Sequence, residues 1–192
     1  MKVLDTCLQK AFRWLGLENG KEFLLPEEHC PARDVFQTRL DHVFNEMEKS
    51  STPTSDYSLL TAVAGEIGNN SFDHNLGSWK DEIGIYFTYH LSEKFILIAD
   101  RGQGVLSTLR RVRPELKTEA EAIRLAFTEQ ISGRAPERRG NGLKFAHRAI
   151  CNKNWKLYFY SGNGMFIISK EILEVKGKQN IKGVLAILQY QT

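Results

Sequence analysis

The sequence has no long hydrophobic run. Its longest uninterrupted apolar segments are five residues each, at positions 95–99 and 184–188, whereas a helix that crosses the ~30 Å hydrocarbon layer of a membrane needs about 20. Near the N-terminus, Lys2, Asp5 and Lys10 interrupt the apolar residues before the core of a secretory signal could form. We therefore expect a protein that neither spans a membrane nor is exported.

Cysteine is scarce as well. Cys7, Cys30 and Cys151 are widely separated and include no CxxC pair, which excludes the common zinc and redox motifs. His29 beside Cys30 resembles half of a metal site, but no second half lies nearby in the sequence. The pattern favours free, buried thiols in a reducing cytoplasm.

Neither common nucleotide motif is present, since the sequence contains no GK[ST] phosphate loop and no dinucleotide GxGxxG. The net charge of +3 is too small to indicate direct binding of nucleic acid. The charge is unevenly placed, however. Between positions 101 and 148 there are eleven Lys or Arg and five Glu, a local balance of +6. This segment is either a solvated basic surface or a field that attracts an anionic ligand.

Hydrophobic periodicity predicts a mixed α/β chain of 192 residues. Helices are predicted at residues 3–16, 33–49, 57–70, 118–130 and 143–151, and strands at 83–90, 94–100, 155–160, 165–169 and 182–189. The Ser/Thr/Pro run at 50–55 is the best candidate boundary. We expect a helical extension over 1–55 and an α/β sandwich over 56–192, with helices on one face of its sheet.

The first candidate site lies on the helix predicted at 57–70 and just beyond it. Glu66, Asn70 and His74 are four residues apart, so they share one face of a helix. An Asn oxygen is a suitable ligand for Mg²⁺, which keeps waters and phosphate oxygens as its other ligands. A carboxylate one turn away could deprotonate an attacking hydroxyl. The alternative is a solvated polar helix end.

The second candidate site follows the apolar strand at 94–100. Asp100 ends that strand, and Gly102 and Gly104 follow at alternate positions. A carboxylate at the end of a buried strand needs a partner, and an adenine amino group would supply one. The glycines would let the backbone approach a flat ligand closely. The alternative is a simple Asp-Gly turn.

The third candidate site precedes the helix predicted at 143–151. Arg138 and Arg139 are followed by Gly140 and Gly142. Glycines before a helix N-terminus expose amide N–H groups, and the helix dipole favours an anion there. The alternative is a glycine hinge beside a basic helix.

The order of the three motifs resembles that of the Bergerat-fold (GHKL) ATP-binding family, over roughly residues 57–190. That family includes gyrase-type topoisomerases, MutL-type repair proteins, sensor histidine kinases and anti-sigma-factor serine kinases. The resemblance implies a two-layer α/β sandwich with a mixed, mostly antiparallel sheet, ATP and Mg²⁺ as ligands, Asn70 as the magnesium ligand and Glu66 as the general base. The nucleotide-binding residues that it implies are Asn70, Asp73, His74, Asp100, Gly102, Gly104, Arg138, Arg139, Gly140, Asn141, Gly142, Leu143 and Lys144.

Two residues depart from the family pattern: Arg101 stands where the family often has Asn, and Asn141 where it usually has an apolar residue. Neither removes a glycine. Residues 104–140 correspond to the segment that closes over ATP, and we expect a basic residue there or just after it to reach the γ-phosphate, the candidates being Arg134, Arg138, Arg139 and Lys144.

The resemblance leaves four functions open. The first is a cytoplasmic switch ATPase or serine/threonine kinase that acts on a protein substrate. The second is a histidine kinase domain, although His42 lacks the proline that usually follows a phosphoacceptor histidine. The third is a clamp ATPase, although no transducer domain follows. The fourth is a non-catalytic, nucleotide-gated module whose residues 1–49 bind a partner protein or a second copy of the chain.

Overall fold

A computed structural model describes residues 2–50, 53–130, 141–175 and 179–191. Within these ranges the helices are α1 (Val3–Gly16), α2 (Arg33–Glu48), α3 (Thr54–Asn75), α4 (Gly104–Leu109), α5 (Glu119–Thr128) and α6 (Gly142–Lys153). The strands are β1 (His29–Cys30), β2 (Ile85–His90), β3 (Phe95–Asp100), β4 (Lys156–Gly162), β5 (Gly164–Ile168), β6 (Ile172–Glu174) and β7 (Ile181–Gln189). No helix in these ranges has the length and apolar character needed to cross a membrane.

The strands form one sheet in the order β1-β2-β3-β7-β4-β5-β6. Every neighbouring pair is antiparallel, which confirms the predicted α/β sandwich with a mostly antiparallel sheet. β7 follows all the other strands in sequence but lies between β3 and β4. This insertion places Val184 opposite Asp100 on one side and opposite Ser161 on the other.

The larger core lies between one face of the sheet and four helices, α2, α3, α5 and α6. The opposite face is covered in part by α1, whose Ala11, Trp14 and Leu15 pack in a second core with apolar residues of β2, β3 and β7. Since every residue of β3 is buried, its continuous apolar run reflects coverage on both faces. Burial of each large side chain contributes roughly 1.5–3 kcal/mol.

The packing of α2 on α3 orients α3. A Cβ added at Gly68 would lie 2.3 Å from Cζ of Phe36, and one added at Gly65 would lie 3.3 Å from Cδ2 of Leu40. The two glycines therefore let the aromatic and aliphatic side chains of α2 approach the α3 backbone. With this side of α3 against α2, its polar arc at Glu66 and Asn70 turns away from α2.

The structure differs from the predicted elements in a few places. The helix predicted at 57–70 is longer at both ends, since α3 begins at Thr54 and ends at Asn75. β1, α4 and β6 were not predicted, because elements of two to six residues are too short to show a hydrophobic period. The helix predicted at 118–130 starts as expected, with Thr118 and Glu121 forming a capping box. The boundary at residue 55 stays a prediction.

Candidate functional site

Asp100 ends β3 with only 2% of its surface exposed. Its carboxylate accepts hydrogen bonds from Ser71 Oγ at 2.7 Å, Gly102 N at 2.8 Å and Asn75 Nδ2 at 3.2 Å, and the backbone of Val184 is a fourth partner. Burial raises the pKa of Asp100, and these hydrogen bonds oppose that rise. None of these four partners is a cation, so within the described residues the buried carboxylate accepts hydrogen bonds from neutral donors.

The Gly102–Gly104 turn holds these donors in place. A Cβ at Gly102 would lie 2.0 Å from Asn75 Nδ2, and Asn75 Oδ1 accepts a hydrogen bond from Gln103 N at 3.0 Å. Gly104 has a φ of +79° and lies close to Ser161 Oγ. The sequence predicted that both glycines allow a close approach, and the groups that approach them are the side chains of Asn75 of α3 at Gly102 and Ser161 of β4 at Gly104.

Sequence reasoning missed Ser71, Asn75 and Gly183 as parts of this site. Ser71 and Asn75 are four residues apart on α3, and that spacing was a usable signal. Gly183 lies at a bulge in β7, where Ser161 pairs with Val184 but Gly162 pairs with Ile181. Its φ is +70°, and an added Cβ would lie 2.0 Å from the carbonyl oxygen of Asp100.

The polar arc of α3 lies between Asp100 and α6. At about 100° per residue, Asn70 is roughly 40° from Glu66 and roughly 100° from Ser71 around the helix. Ser71 bonds Asp100, and Oε2 of Glu66 would lie 2.2 Å from a Cβ on Gly142, the first residue of α6. The Asp-Gly turn and the first residue of α6 therefore both contact α3, with Asn70 between Glu66 and Ser71 around the helix.

Asp73 and His74 extend the polar arc beyond Asn70. Asp73 forms an ion pair with Arg33 at the start of α2. The backbone carbonyl of His74 accepts a hydrogen bond from the Gln103 side chain. Both residues therefore connect the polar arc to its surroundings, and their roles in nucleotide binding stay predictions.

The N-terminus of α6 lies beside Glu66 of α3. Asn141 is the N-cap and its side chain makes no capping hydrogen bond, so the first-turn amides, which have no intrahelical acceptor, are not satisfied by that side chain. Leu143 packs against the larger core, and Lys144 is half-buried. Arg134, Arg138, Arg139 and Gly140 lie outside the described residues.

The segment predicted to close over ATP is anchored in its first part. The Glu119 carboxylate accepts hydrogen bonds from Leu106 N at 3.2 Å and Ser161 Oγ at 3.0 Å, and Ser161 Oγ accepts one from Val105 N at 2.9 Å. Apolar residues of α4 and α5 form a small core of their own. Residues 104–130 are thus folded and packed on β4 through Ser161, and residues 131–140 lie outside the described ranges.

Within the described residues, no group of three or more His, Cys, Asp or Glu could hold a metal ion. His29 Nε2 instead lies 2.9 Å from the carbonyl oxygen of Ile83, and burial raises the pKa of Cys30 to about 11, which disfavours a thiolate ligand. Asn70 and Glu66 could each give Mg²⁺ one oxygen, which fits an ion whose remaining ligands are waters and phosphate oxygens.

Comparison of the chain with known proteins does not identify a family. The chain matches no model of a known protein family and no curated protein.

Proposed function

We propose that this chain binds ATP with Mg²⁺ between α3, the Gly102–Gly104 turn and the N-terminus of α6, as a regulatory ATPase or serine/threonine kinase of the Bergerat-fold type. The observation that carries the proposal is that α3 contacts both other motifs. Ser71 of α3 donates a hydrogen bond to the buried carboxylate of Asp100, and Glu66 of α3 lies against Gly142 at the start of α6.

Asp100 is the base-recognition group in this proposal. A carboxylate offers about four acceptor positions, and an adenine amino group would take one of them. Of the present partners, the Ser71 hydroxyl is the one whose hydrogen can rotate, so it can give up its bond most easily. Hydrogen bonds to charged groups contribute about 1.5–3 kcal/mol, which is enough to favour adenine over a base that lacks the amino group.

The phosphates would lie at the N-terminus of α6. Its first-turn amides, which the Asn141 side chain does not cap, and its dipole favour an anion, and the absence of a side chain at Gly142 lets the Glu66 carboxylate lie beside this helix end. We expect Arg138, Arg139 and Gly140 to complete the phosphate site, with Lys144 as a further cation. Mg²⁺, held by Asn70 and the phosphates, would supply neutralising charge to the triphosphate.

The direct test is a calorimetric titration with ATP, with and without Mg²⁺. A titration with GTP, which differs from ATP only in its base, is the control. Cellular ATP is millimolar, so a Kd of ~100 µM, about −5.5 kcal/mol, is sufficient for occupancy. GTP presents a carbonyl where ATP presents its amino group, so we expect it to bind at least ~100-fold more weakly. Absence of ATP binding at millimolar concentrations, or equal binding of GTP, contradicts the proposal.

The role of Glu66 distinguishes the two candidate functions, an enzyme and a non-catalytic nucleotide-gated module. Its side chain is exposed and adjacent to the expected phosphate site, as a general base must be. Because general bases contribute roughly 10²–10⁴-fold, we expect Glu66→Gln to lower phosphate release or phosphotransfer at least ~100-fold, with ATP affinity within about threefold of the wild type.

The matched control for this substitution is Glu48→Gln, which neutralises an exposed carboxylate at the end of α2. It should leave both turnover and affinity unchanged. Tight ATP binding without turnover in the wild type would instead favour the non-catalytic module, and equal turnover in wild type and Glu66→Gln would remove Glu66 from the chemistry.

A further inference from the structure

Arg101, the residue between Asp100 and Gly102, is completely buried. Its Nε lies 2.9 Å from Asp81 Oδ1, and its guanidinium lies over the ring of Trp14 at 5.7 Å. The hydrogen bond from Arg101 lowers the pKa of Asp81 to about 2. A buried guanidinium needs acceptors on all sides, and Asp81 supplies only some of them.

The remaining acceptors of Arg101 come from the C-terminal end of α1. The guanidinium donates to the carbonyl oxygen of Trp14, and its Nη2 donates to the carbonyl oxygen of Leu17 at 2.8 Å. Trp14 lies in the last turn of α1 and Leu17 is its C-cap, so Arg101 adds hydrogen bonds at the end where helix carbonyls lack i+4 donors. A cation at this end also complements the helix dipole.

A second cation holds the same end of α1. Lys182 Nζ donates to the carbonyl oxygens of Leu17 at 2.7 Å and Glu18 at 3.0 Å. Lys182 lies in the β7 bulge immediately before Gly183, whose backbone packs against Asp100. Each of the two cations that hold α1 is therefore next in sequence to Asp100 itself or to the glycine that packs against it.

We propose that Arg101 and Lys182 are positioning residues that couple the docking of α1 to nucleotide binding at Asp100. The inference rests on the proposed function. If α1 leaves the sheet, the buried Arg101 loses its carbonyl acceptors, and the backbone on both sides of Asp100 loses its two anchors. Because binding coupling is reciprocal, a nucleotide held at Asp100 must stabilise the docked position of α1 by the same factor.

The test measures ATP affinity and amide hydrogen exchange in the full chain. In the wild type, saturating ATP should slow exchange of the amides at residues 13–18 about tenfold, within the 5–150-fold range usual for coupled sites. Arg101→Lys keeps the charge but loses the forked geometry, and should raise the Kd for ATP about tenfold, or ~1.4 kcal/mol. Lys182→Met should raise it about threefold.

Two controls separate coupling from general destabilisation. Glu93 holds the other end of α1 by accepting hydrogen bonds from Val3 N at 2.8 Å and Leu4 N at 3.0 Å. Glu93→Ala should loosen that end yet leave ATP affinity within about twofold. Asp100→Asn keeps both cations, so α1 should keep its protection in the absence of ATP and gain none when ATP is added.

The outcomes distinguish this inference from the proposed function. Unchanged ATP affinity in both Arg101→Lys and Lys182→Met, with no effect of ATP on exchange in α1, overturns the coupling and leaves nucleotide binding intact. Failure of the wild type to bind ATP overturns the proposed function itself. If Arg101→Lys does not fold, Lys182→Met and the wild-type exchange measurement still decide the matter.

Discussion

Replacing Asp100 with asparagine should abolish tight ATP binding without unfolding the protein. Asparagine can still accept hydrogen bonds from Gly102 N and Asn75 Nδ2, and its amide can donate to Ser71 Oγ. It loses the charge that would hold the adenine amino group, and its own amide would face that group. We expect the Kd for ATP to rise about 100-fold, equivalent to ~2.7 kcal/mol, as measured by calorimetric titration.

The same substitution should leave stability unchanged or increase it. Because burial raises the pKa of Asp100, its carboxyl favours the protonated form in the folded protein relative to the unfolded one. The stability that this raised pKa contributes to the folded state is fully present below the pKa of Asp100 in the unfolded chain. It is lost as the pH rises through the pKa of Asp100 in the folded protein. Asparagine is neutral at every pH, so the midpoint of thermal unfolding at pH 7 should not fall. A large fall in that midpoint would show that the carboxylate stabilises the fold.

The second large effect concerns Gly183, which we expect to be intolerant of any side chain. An alanine Cβ would lie 2.0 Å from the carbonyl oxygen and 2.7 Å from the carbonyl carbon of Asp100. These are backbone atoms within a paired strand and cannot rotate away. The left-handed φ of +70° adds about 1–2 kcal/mol for a residue with a Cβ. Gly183→Ala should lower the free energy of unfolding by ~4 kcal/mol in all.

Two other glycines make matched controls in a denaturant series. At Gly77, φ is +72° but an added Cβ meets nothing within 4 Å, so Gly77→Ala isolates the conformational cost and should lose only about 1–2 kcal/mol. At Gly16 there is neither a positive φ nor a nearby atom, so Gly16→Ala should be neutral within ~0.5 kcal/mol. If Gly183→Ala lowers the free energy of unfolding no more than Gly77→Ala does, the close contact with the Asp100 backbone does not destabilise the protein.

The parts of the site that could be predicted from sequence are those set by local spacing. Glu66, Asn70 and His74 lie on one helix face because residues four apart always do. Asp100 could be placed at a strand end because a continuous apolar run immediately precedes it. The prediction that these groups come together depended on a family resemblance rather than on spacing.

What could not be predicted depends on contacts between distant parts of the chain. Arg101 was noted only as a departure from a motif, and nothing near it in sequence indicates that it holds the end of α1. Gly183 owes its importance to the bulge in β7, which is defined by pairing with β4. The partners of Asp100 on α3 could be found by their four-residue spacing only once α3 was known to extend to Asn75.

The central position of β7 also has a consequence for synthesis of the chain. Until residues 181–189 have emerged from the ribosome, β3 and β4 each present an unpaired edge, and such edges can pair with other chains. The sheet must then close by pairing β3 with β7, from Asp100 with Val184 (84 residues apart) to Phe95 with Gln189 (94 apart), and contacts between such distant residues slow folding. A nascent chain arrested before residue 181 should therefore require chaperone protection that the finished chain does not need.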